Sequence, residues 1–230
     1  NLGDKKQLDG HLLPGLDPAG VPRVLKGTAL PFSYNHIEEL ERIVSKHKDI
    51  GVIVVEPLRH QEPLNDFLQK VATIAKKAGA VLIFDEISIG WRLTVGGAHL
   101  MYGVHPDIAV FAKAMGNGFP SAAVIGTKSV MDSAQKTFIS STYWTDRVGS
   151  VAALATIKRM KKENVPVHLK RIGGIIGEGW KKLAEKHDLD ITVLGPEARI
   201  TFTLNYGKQS QALRTLFTQE MLVRGYLAGA

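Results

Sequence analysis

Two polar side chains stand directly after apolar segments of the sequence, and their types suggest chemistry. Asp85 follows the apolar segment 80–84, and Lys113 follows the apolar segment 108–112. In open α/β sheets, ligands bind beyond the carboxyl ends of the strands, so we expect both side chains to border one crevice. A structural salt bridge between the two is the alternative, because an isolated buried charge is costly.

The residues after Lys113 favour catalysis over a salt bridge. Gly116, Gly118 and Pro120 predict a tight turn that holds the lysine and lets a bulky ligand approach the backbone. A lysine removed from water forms Schiff bases with aldehydes. An acidic side chain such as Asp85 can keep a pyridine nitrogen protonated. These are the two protein groups that pyridoxal phosphate chemistry requires, so Lys113 and Asp85 are the candidate catalytic and cofactor-binding residues.

The elements that must position these residues alternate along the first 160 residues. Apolar segments predict four strands, at 52–55, 80–86, 108–112 and 122–126. The first consists of four β-branched residues, which predicts a strand buried on both faces. Amphipathic stripes predict helices at 37–47, with Asn35 and Glu38 as a capping box, and at 64–78, opened by Pro63 and ended by Gly79. This alternation predicts an α/β fold with a mostly parallel sheet and helices on both faces.

The pattern changes near residue 160, which predicts a domain boundary. Helices are predicted at 148–160, 165–187 and 210–224, and strands at 190–194 and 199–205. Gly173, Gly174 and Gly177 weaken the second helix, since each interior glycine costs about 1 kcal/mol. We therefore expect a large cofactor-binding domain at 1–160 and part of a smaller α+β C-terminal domain at 161–230.

Composition excludes several classes of protein. The chain has 230 residues, 44% hydrophobic and 22% charged, which excludes a wholly disordered chain. It has no cysteine, which excludes disulfides and thiolate metal sites; we expect no metal ligands and a cytoplasmic location. No apolar run approaches the roughly 20 residues of a membrane span. Most of the net charge of +7 lies at 158–186. We interpret that stretch as solvated helix faces; a nucleic-acid or membrane patch is the alternative.

Several segments together resemble the class III aminotransferases, pyridoxal-phosphate enzymes of fold type I. They are Val-Glu-Pro at 55–57, Leu-Ile-Phe-Asp-Glu-Ile at 82–87 with Gly-Trp-Arg at 90–92, and Pro-Asp-Ile at 106–108 leading to Ala-Lys-Ala-Met-Gly-Asn-Gly-Phe-Pro at 112–120. The resemblance is strongest to the branch similar to glutamate-1-semialdehyde aminomutase, and it covers roughly residues 28–225. It implies that Lys113 carries the cofactor as a Schiff base and that Asp85 contacts the pyridine nitrogen.

The resemblance also implies a homodimer with a shared active site. In the family, a threonine before a Gly-Asn-Pro turn binds the cofactor phosphate of the neighbouring subunit. Thr142 matches that threonine, and Thr145 is the second candidate, although Trp-Thr-Asp-Arg at 144–147 replaces the family's turn. Tyr143 and Trp144 are aromatic residues of the kind enriched in interfaces; packing inside their own domain is the alternative.

Other family positions depart from the pattern or carry lesser roles. Arg59 and His60 replace an acidic, glycine-rich turn and are expected on the substrate side, although His60 is equally well explained as a surface-loop residue. Glu86 is expected to position its turn, and Arg92 to be structural, near the dimer contact. The family's phosphate-binding segment and terminal arginine lie outside the matched segments, so we interpret the chain as the middle of a longer protein.

These observations predict a pyridoxal-phosphate-dependent aminotransferase or aminomutase. Lys113 forms the Schiff base and then acts as the general base, with a small-molecule amino donor and a carbonyl acceptor as substrates. The alternative is a non-catalytic fragment that folds but binds no cofactor. We expect neither nucleic acid nor membrane as a partner.

Overall fold

The computed structural model describes residues 19–143 and 145–229. These residues form two compact units, one comprising 19–51 and 63–80 and the other 52–62 and 81–229. Trp144 lies outside the described residues. The domain boundary expected near residue 160 stays a prediction.

The first unit contains two helices, α1 at Ile37–Lys46 and α2 at Phe67–Ala78, which pack against each other. Each helix buries an apolar face, and the rings of Tyr34 and Phe67 meet edge to face at 4.8 Å. The fully buried side chains are Leu40, Phe67, Leu68, Val71 and Ala75. The amphipathic stripes in the sequence therefore correctly predict both helices.

The predicted capping box of α1 is wrong. Asn35 has a left-handed backbone with φ of 66°, and its Oδ1 accepts a hydrogen bond from the Leu64 N–H at 2.9 Å. Glu39, not Glu38, closes the turn by accepting a hydrogen bond from the Ser33 N–H at 2.6 Å. The asparagine side chain therefore joins α1 to the segment before α2 and caps neither helix.

The start of α2 also differs from the prediction, whereas its end agrees. Pro63 does not open the helix, because Asp66 has a left-handed φ of 57° and α2 begins only after it. Gly79 ends α2 with φ of 69°, and its N–H donates to the carbonyls of Ala75 and Lys76. A left-handed glycine is the usual helix terminator.

The second unit is built around a four-stranded sheet in the order β1-β2-β3-β4. The strands are β1 at Val52–Val55, β2 at Val81–Asp85, β3 at Ile108–Phe111 and β4 at Ala123–Gly126. β1 and β3 both pair with β2 in parallel, and β4 pairs with β3 antiparallel. This confirms the α/β class and the mostly parallel sheet.

The prediction that β1 is buried on both faces is wrong. Ile53 and Val55 are buried, but Val52 and Val54 are 50% and 56% exposed. Among the described strands, β1 lies at the edge of the sheet. Its alternate side chains point to opposite faces, and the described residues cover only one of these faces.

After the sheet, the chain continues through helices and one hairpin-like pair of strands. These elements are α3 at Lys128–Met131, α4 at Val148–Glu163, α5 at Val165–Lys186, β5 at Ile191–Leu194, β6 at Thr201–Leu204 and α6 at Ser210–Val223. β5 and β6 pair antiparallel. The order of the three long helices and the two strands agrees with the prediction.

Two of the glycines that weaken α5 in sequence let another segment approach it closely. A Cβ on Gly173 would lie 1.7 Å from the Glu197 carbonyl oxygen, and one on Gly177 would lie 2.4 Å from the Ile200 side chain. Gly174 has open space around it. The conformational cost of these two glycines is therefore offset, because the absence of a Cβ lets the segment before β6 pack against α5.

Candidate active site

Asp85 and Lys113 leave neighbouring parallel strands at the same edge of the sheet. Asp85 ends β2 and pairs in register with Val110 of β3, and Lys113 follows β3 shortly after it ends. Asp85 is half-buried, and its Oδ1 accepts a hydrogen bond from the Ile87 N–H at 2.9 Å. The structure therefore places both predicted residues at the carboxyl edge, where open α/β sheets bind ligands.

The Lys113 amine is held by a serine and not by an acid. Its Nζ donates to Ser88 Oγ at 3.0 Å, and Ser88 stands just beyond the end of β2. Within the described residues, Lys113 makes no ion pair at 4.0 Å or less, so a salt bridge to Asp85 is not formed. Ser88 is a site residue that sequence reasoning missed, because a serine in a turn carries no distinctive signal.

The backbone of Lys113 lies in the left-handed region, with φ of 47°. For a residue with a side chain this conformation costs about 1–2 kcal/mol. The turn after it holds the strain, since the N–H groups of Gly116 and Asn117 donate to the Lys113 carbonyl at 3.1 and 3.0 Å. A Cβ on Gly116 would lie 2.4 Å from the Phe119 carbonyl oxygen. Such strained conformations cluster at functional sites.

Lys113 borders a cavity of about 660 Å³, within the usual size range of small-molecule sites. The walls come from the exit of β2, the turn after Lys113, α4 and the start of α5. The lining residues are Trp91, Arg92, Lys113, Ala114, Asn117, Gly118, Ala155, Thr156, Arg159, Met160, Val165 and Leu169. Trp91 Nε1 is buried and has no hydrogen-bond partner among the described residues, which leaves a donor for a ligand.

Glu86 is fully buried and has a structural role. Its carboxylate accepts hydrogen bonds from the Ala98 N–H at 2.9 Å, the His99 N–H at 3.0 Å and His99 Nδ1 at 2.7 Å. A Cβ on Gly97 would lie 2.8 Å from this carboxylate, so glycine is required there. Glu86 therefore fixes the segment 97–99, in agreement with the expectation that it positions a turn.

A charged cluster lies at the exit of β1. Arg59 pairs with Glu56 at 2.8 Å. Arg199, which ends a short helical turn before β6, donates from Nη1 to the Arg59 carbonyl at 2.8 Å. Burial lowers the pKa of Arg199 below its ordinary value, and the positive charges of Arg59 and Arg92 act in the same direction. Sequence reasoning missed Arg199, since it is 140 residues from Arg59 in the chain.

His60 lies within the same charged cluster. Its carbonyl accepts a hydrogen bond from the Gly195 N–H at 3.2 Å. Burial lowers the pKa of His60, and the charges of Arg199 and Arg59 lower it further. His60 is nonetheless exposed overall, which agrees with a loop position facing solvent.

Thr142 and Thr145 lie in an exposed loop before α4. Neither is among the described residues that line the Lys113 cavity. The loop is ordered by Asp146, whose N–H donates to the Tyr143 carbonyl at 3.0 Å and whose Oδ1 accepts from the Val148 N–H at 2.9 Å. Tyr143 is 69% exposed, so its ring does not pack inside its own unit.

The described residues contain neither a metal-binding cluster of side chains nor a helix suited to crossing a membrane. Across residues 19–143 and 145–229, no group of three or more His, Cys, Asp or Glu side chains is arranged to hold a metal ion. Over the same residues, no helix combines the length and the apolar character that crossing a membrane requires.

Comparison with known proteins identifies the family. Residues 18–208 match the model of the class-III aminotransferases, so the chain belongs to that family. It is 31% identical over 213 residues to the 3-aminobutyryl-CoA aminotransferase of Cloacimonas acidaminovorans, covering 88% of this chain and 51% of that protein. It is 38% identical over 150 residues to the glutamate-1-semialdehyde 2,1-aminomutase of Nitrosopumilus maritimus, covering 62% of this chain and 35% of that protein.

The fold agrees with this assignment. The structure superimposes on the PLP internal aldimine form of the Sphingopyxis sp. MTA144 FumI protein with a TM-score of 0.76 and 21% sequence identity. The match covers 82% of this chain and 47% of that one. The predicted fold type I is therefore confirmed. The chain spans about half the length, or less, of the relatives it matches.

Proposed function

We propose that the protein is a pyridoxal-phosphate-dependent aminotransferase or aminomutase that acts on a small-molecule amino donor and a carbonyl acceptor. The observation that supports this most is the Lys113 amine, which Ser88 holds without an ion pair at the sheet edge that Asp85 also borders. Membership of the class-III aminotransferases supports the same activity.

The residues present fit the cofactor. Lys113 would hold it covalently through Nζ, and Asp85 would hold its ring nitrogen. The cavity beside Lys113 is large enough for a small ligand, and the unpartnered Trp91 Nε1 offers it a buried donor. When bound, pyridoxal phosphate supplies an aldehyde that captures amines and a protonated ring that withdraws electrons from the amino carbon.

Each residue then has a defined task. As a free amine, Lys113 Nζ would take the proton from the substrate carbon that bears the amino group. The Asp85 carboxylate would keep a proton on the cofactor's ring nitrogen by charge and hydrogen bonding. Ser88 Oγ, which accepts from Nζ at 3.0 Å, orients the amine.

The two activities differ in what leaves the enzyme. An aminotransferase releases a new carbonyl compound, whereas an aminomutase returns the amino group to the same carbon skeleton. Relatives with both names match this chain, so both belong to the proposal. The family match over residues 18–208 disfavours a non-catalytic fragment.

A trapping experiment tests the proposal. The purified protein is mixed with pyridoxal phosphate and reduced with borohydride, and the modified lysine is located by peptide mass spectrometry. We expect the label on Lys113, its loss in Lys113→Ala, and normal labelling in Lys128→Ala, which removes a lysine outside the cavity. Labelling of Lys113→Ala at the wild-type level, or of another lysine in the wild type, would refute the assignment.

We propose further that the working enzyme is a homodimer in which Thr142, or alternatively Thr145, binds the cofactor phosphate held by the partner subunit. The exposed loop before α4 and the exposed ring of Tyr143 support this role. Mixing Lys113→Ala chains with Thr142→Ala chains tests it, because some mixed dimers then contain one intact site. Activity above that of either variant is expected after exchange of subunits, and no gain would remove Thr142 from the shared site.

A cytoplasmic location and the absence of nucleic-acid partners complete the proposal. A chain of 230 residues without cysteine is compatible with a reducing compartment. Cell fractionation and a salt titration of DNA or RNA binding test these two points.

A further inference from the structure

A tight turn follows the short helical segment that begins at Lys113. The Phe119 N–H donates to the Gly116 carbonyl at 3.1 Å, and the two residues between them, Asn117 and Gly118, have left-handed φ of 45° and 101°. Two consecutive left-handed residues at the centre of a turn are typical of type I′, and Asn-Gly is a preferred sequence for it. The geometry of this turn therefore accounts for the Asn-Gly pair.

The same pair of residues is chemically unstable. Asparagine is one of the thermolabile residues, because the peptide nitrogen of the next residue can attack its side-chain carbonyl carbon. A following glycine favours the attack, since it has no side chain to shield that nitrogen or to restrict the backbone. In the whole sequence, Asn117 is the only asparagine that is followed by glycine.

Both reacting groups are accessible in the folded protein. Asn117 and Gly118 are exposed, and a Cβ on Gly118 would meet no atom within 4 Å. Among residues 19–143 and 145–229, neither the Asn117 side chain nor the Gly118 N–H makes a hydrogen bond. Opening the turn breaks the hydrogen bond from Phe119 to Gly116, which costs little at an exposed position because water replaces it.

We infer that Asn117 is a site of spontaneous deamidation, and that this modification inactivates the Lys113 site. The Gly118 nitrogen forms a bond to Asn117 Cγ, and the bond from Cγ to the side-chain nitrogen breaks. The side-chain nitrogen leaves as ammonia, with the proton that the peptide N–H loses. Water then opens the cyclic imide at either of its carbonyls, which gives aspartate or isoaspartate at position 117.

Both products disturb the residues that hold Lys113. Isoaspartate lengthens the main chain by one methylene, so the type I′ turn can no longer close. That turn supports Lys113, because the N–H groups of Gly116 and Asn117 donate to its carbonyl at 3.1 and 3.0 Å. Either product also adds a carboxylate to the cavity that Asn117 and Lys113 both line. A negative charge there favours the protonated amine, which forms no Schiff base. The loss of function, unlike the modification, rests on the proposed function.

Ageing of the purified protein at mildly alkaline pH tests the modification. Peptide mass spectrometry locates the conversion of amide to acid, and a protein isoaspartyl methyltransferase labels isoaspartate. Asn65 is the internal reference, because it is also exposed and left-handed, with φ of 51°, but is followed by Asp66. We expect conversion at Asn117 to be at least about tenfold faster, a difference of about 1.4 kcal/mol in the barrier. Equal rates at the two positions, or an intact Asn117 after ageing, would overturn the inference.

Borohydride trapping of pyridoxal phosphate on Lys113 tests the inactivation. Asn117→Gly removes the amide and supplies a residue that adopts a left-handed φ without steric cost. Asn65→Gly is the matched control at the other exposed, left-handed asparagine. Each aged protein is compared with its own fresh sample, and circular dichroism establishes that it is still folded. We expect the wild type and Asn65→Gly to lose trapping in proportion to conversion at Asn117, and Asn117→Gly to keep it.

Two outcomes of this trapping experiment contradict the inactivation. One is an equal loss of trapping in all three proteins, and the other is full trapping in a wild type whose Asn117 has been converted. The mass-spectrometric measurement needs no cofactor, so the inference and the proposed function fail separately. If fresh wild type is not trapped on Lys113, the proposed function fails and conversion at Asn117 alone decides the inference. If trapping is normal but Asn117 is stable, only the inference fails.

Discussion

The ends of β1 and β2 carry acidic residues that the structure treats in opposite ways. Glu86, after β2, is fully buried and accepts three hydrogen bonds from the segment 97–99. Glu56, after β1, pairs with Arg59 through one oxygen, while the other is buried without a partner. The difference teaches that a buried carboxylate with both oxygens hydrogen-bonded holds a segment of the fold in place, whereas a carboxylate that uses one oxygen for a partly exposed ion pair contributes less to stability.

The largest expected effect is a loss of stability when Glu86, the fully hydrogen-bonded carboxylate, is removed. Glu86→Ala should lower the free energy of unfolding by about 3–5 kcal/mol, because it leaves the buried donors of Ala98 and His99 without an acceptor. Urea denaturation measures it. Glu185→Ala, at an exposed position of α5, is the control and should change stability by no more than about 0.5 kcal/mol. Similar values for the two variants would show that Glu86 is not structural.

Substitution of Asp85 tests whether the end of β2 carries one carboxylate for catalysis, Asp85, beside one for stability, Glu86. Asp85→Asn should reduce turnover of the enzyme by about 10²–10³-fold, since the amide cannot keep the ring nitrogen protonated. Stability should change little, because the amide oxygen can still accept from the Ile87 N–H. Asp107→Asn is the control, since Asp107 accepts from the Leu82 N–H at 2.8 Å, near the opposite end of β2 from Asp85. Near-normal turnover in Asp85→Asn contradicts the role.

Glu56 should behave in the opposite way to Glu86. Glu56→Gln should change the free energy of unfolding by less than about 1 kcal/mol, because its ion pair with Arg59 is partly exposed. Urea denaturation measures this effect. Destabilisation as large as that of Glu86→Ala would remove the contrast between the two strand ends.

The smallest effect concerns His60, whose pKa is lowered by burial and by Arg199 and Arg59. Below the ordinary histidine pKa of about 6.5, the unfolded chain takes up a proton that folded His60 resists. Stability should therefore fall as the pH drops below about 6.5 and recover as it rises. His60→Gln should flatten this slope, whereas His168→Gln, at an exposed position of α5, should not. An unchanged slope in His60→Gln would show that the cluster does not act on His60.

Local sequence determined much of the fold and the centre of the site. Apolar segments and amphipathic stripes specify strands and helices directly, because the buried side chains recur along the sequence with the periodicity of the strand or helix. Asp85 and Lys113 were found because polar residues at the ends of apolar strands are unusual, and glycines after Lys113 predict a tight turn. Patterns of this kind lie within short stretches of sequence, so they can be recognised without knowledge of the tertiary contacts.

Only the tertiary structure decided the remaining features, because each depends on groups far apart in the chain. Asn35 bonds to Leu64 instead of capping α1. The glycines of α5 make sense only when the segment before β6 lies against them. Arg199 meets Arg59 across 140 residues, and no local pattern marks either as half of a pair. Hydrogen bonds and charges act over distances in space, so the arginine cluster appears only once the chain has folded.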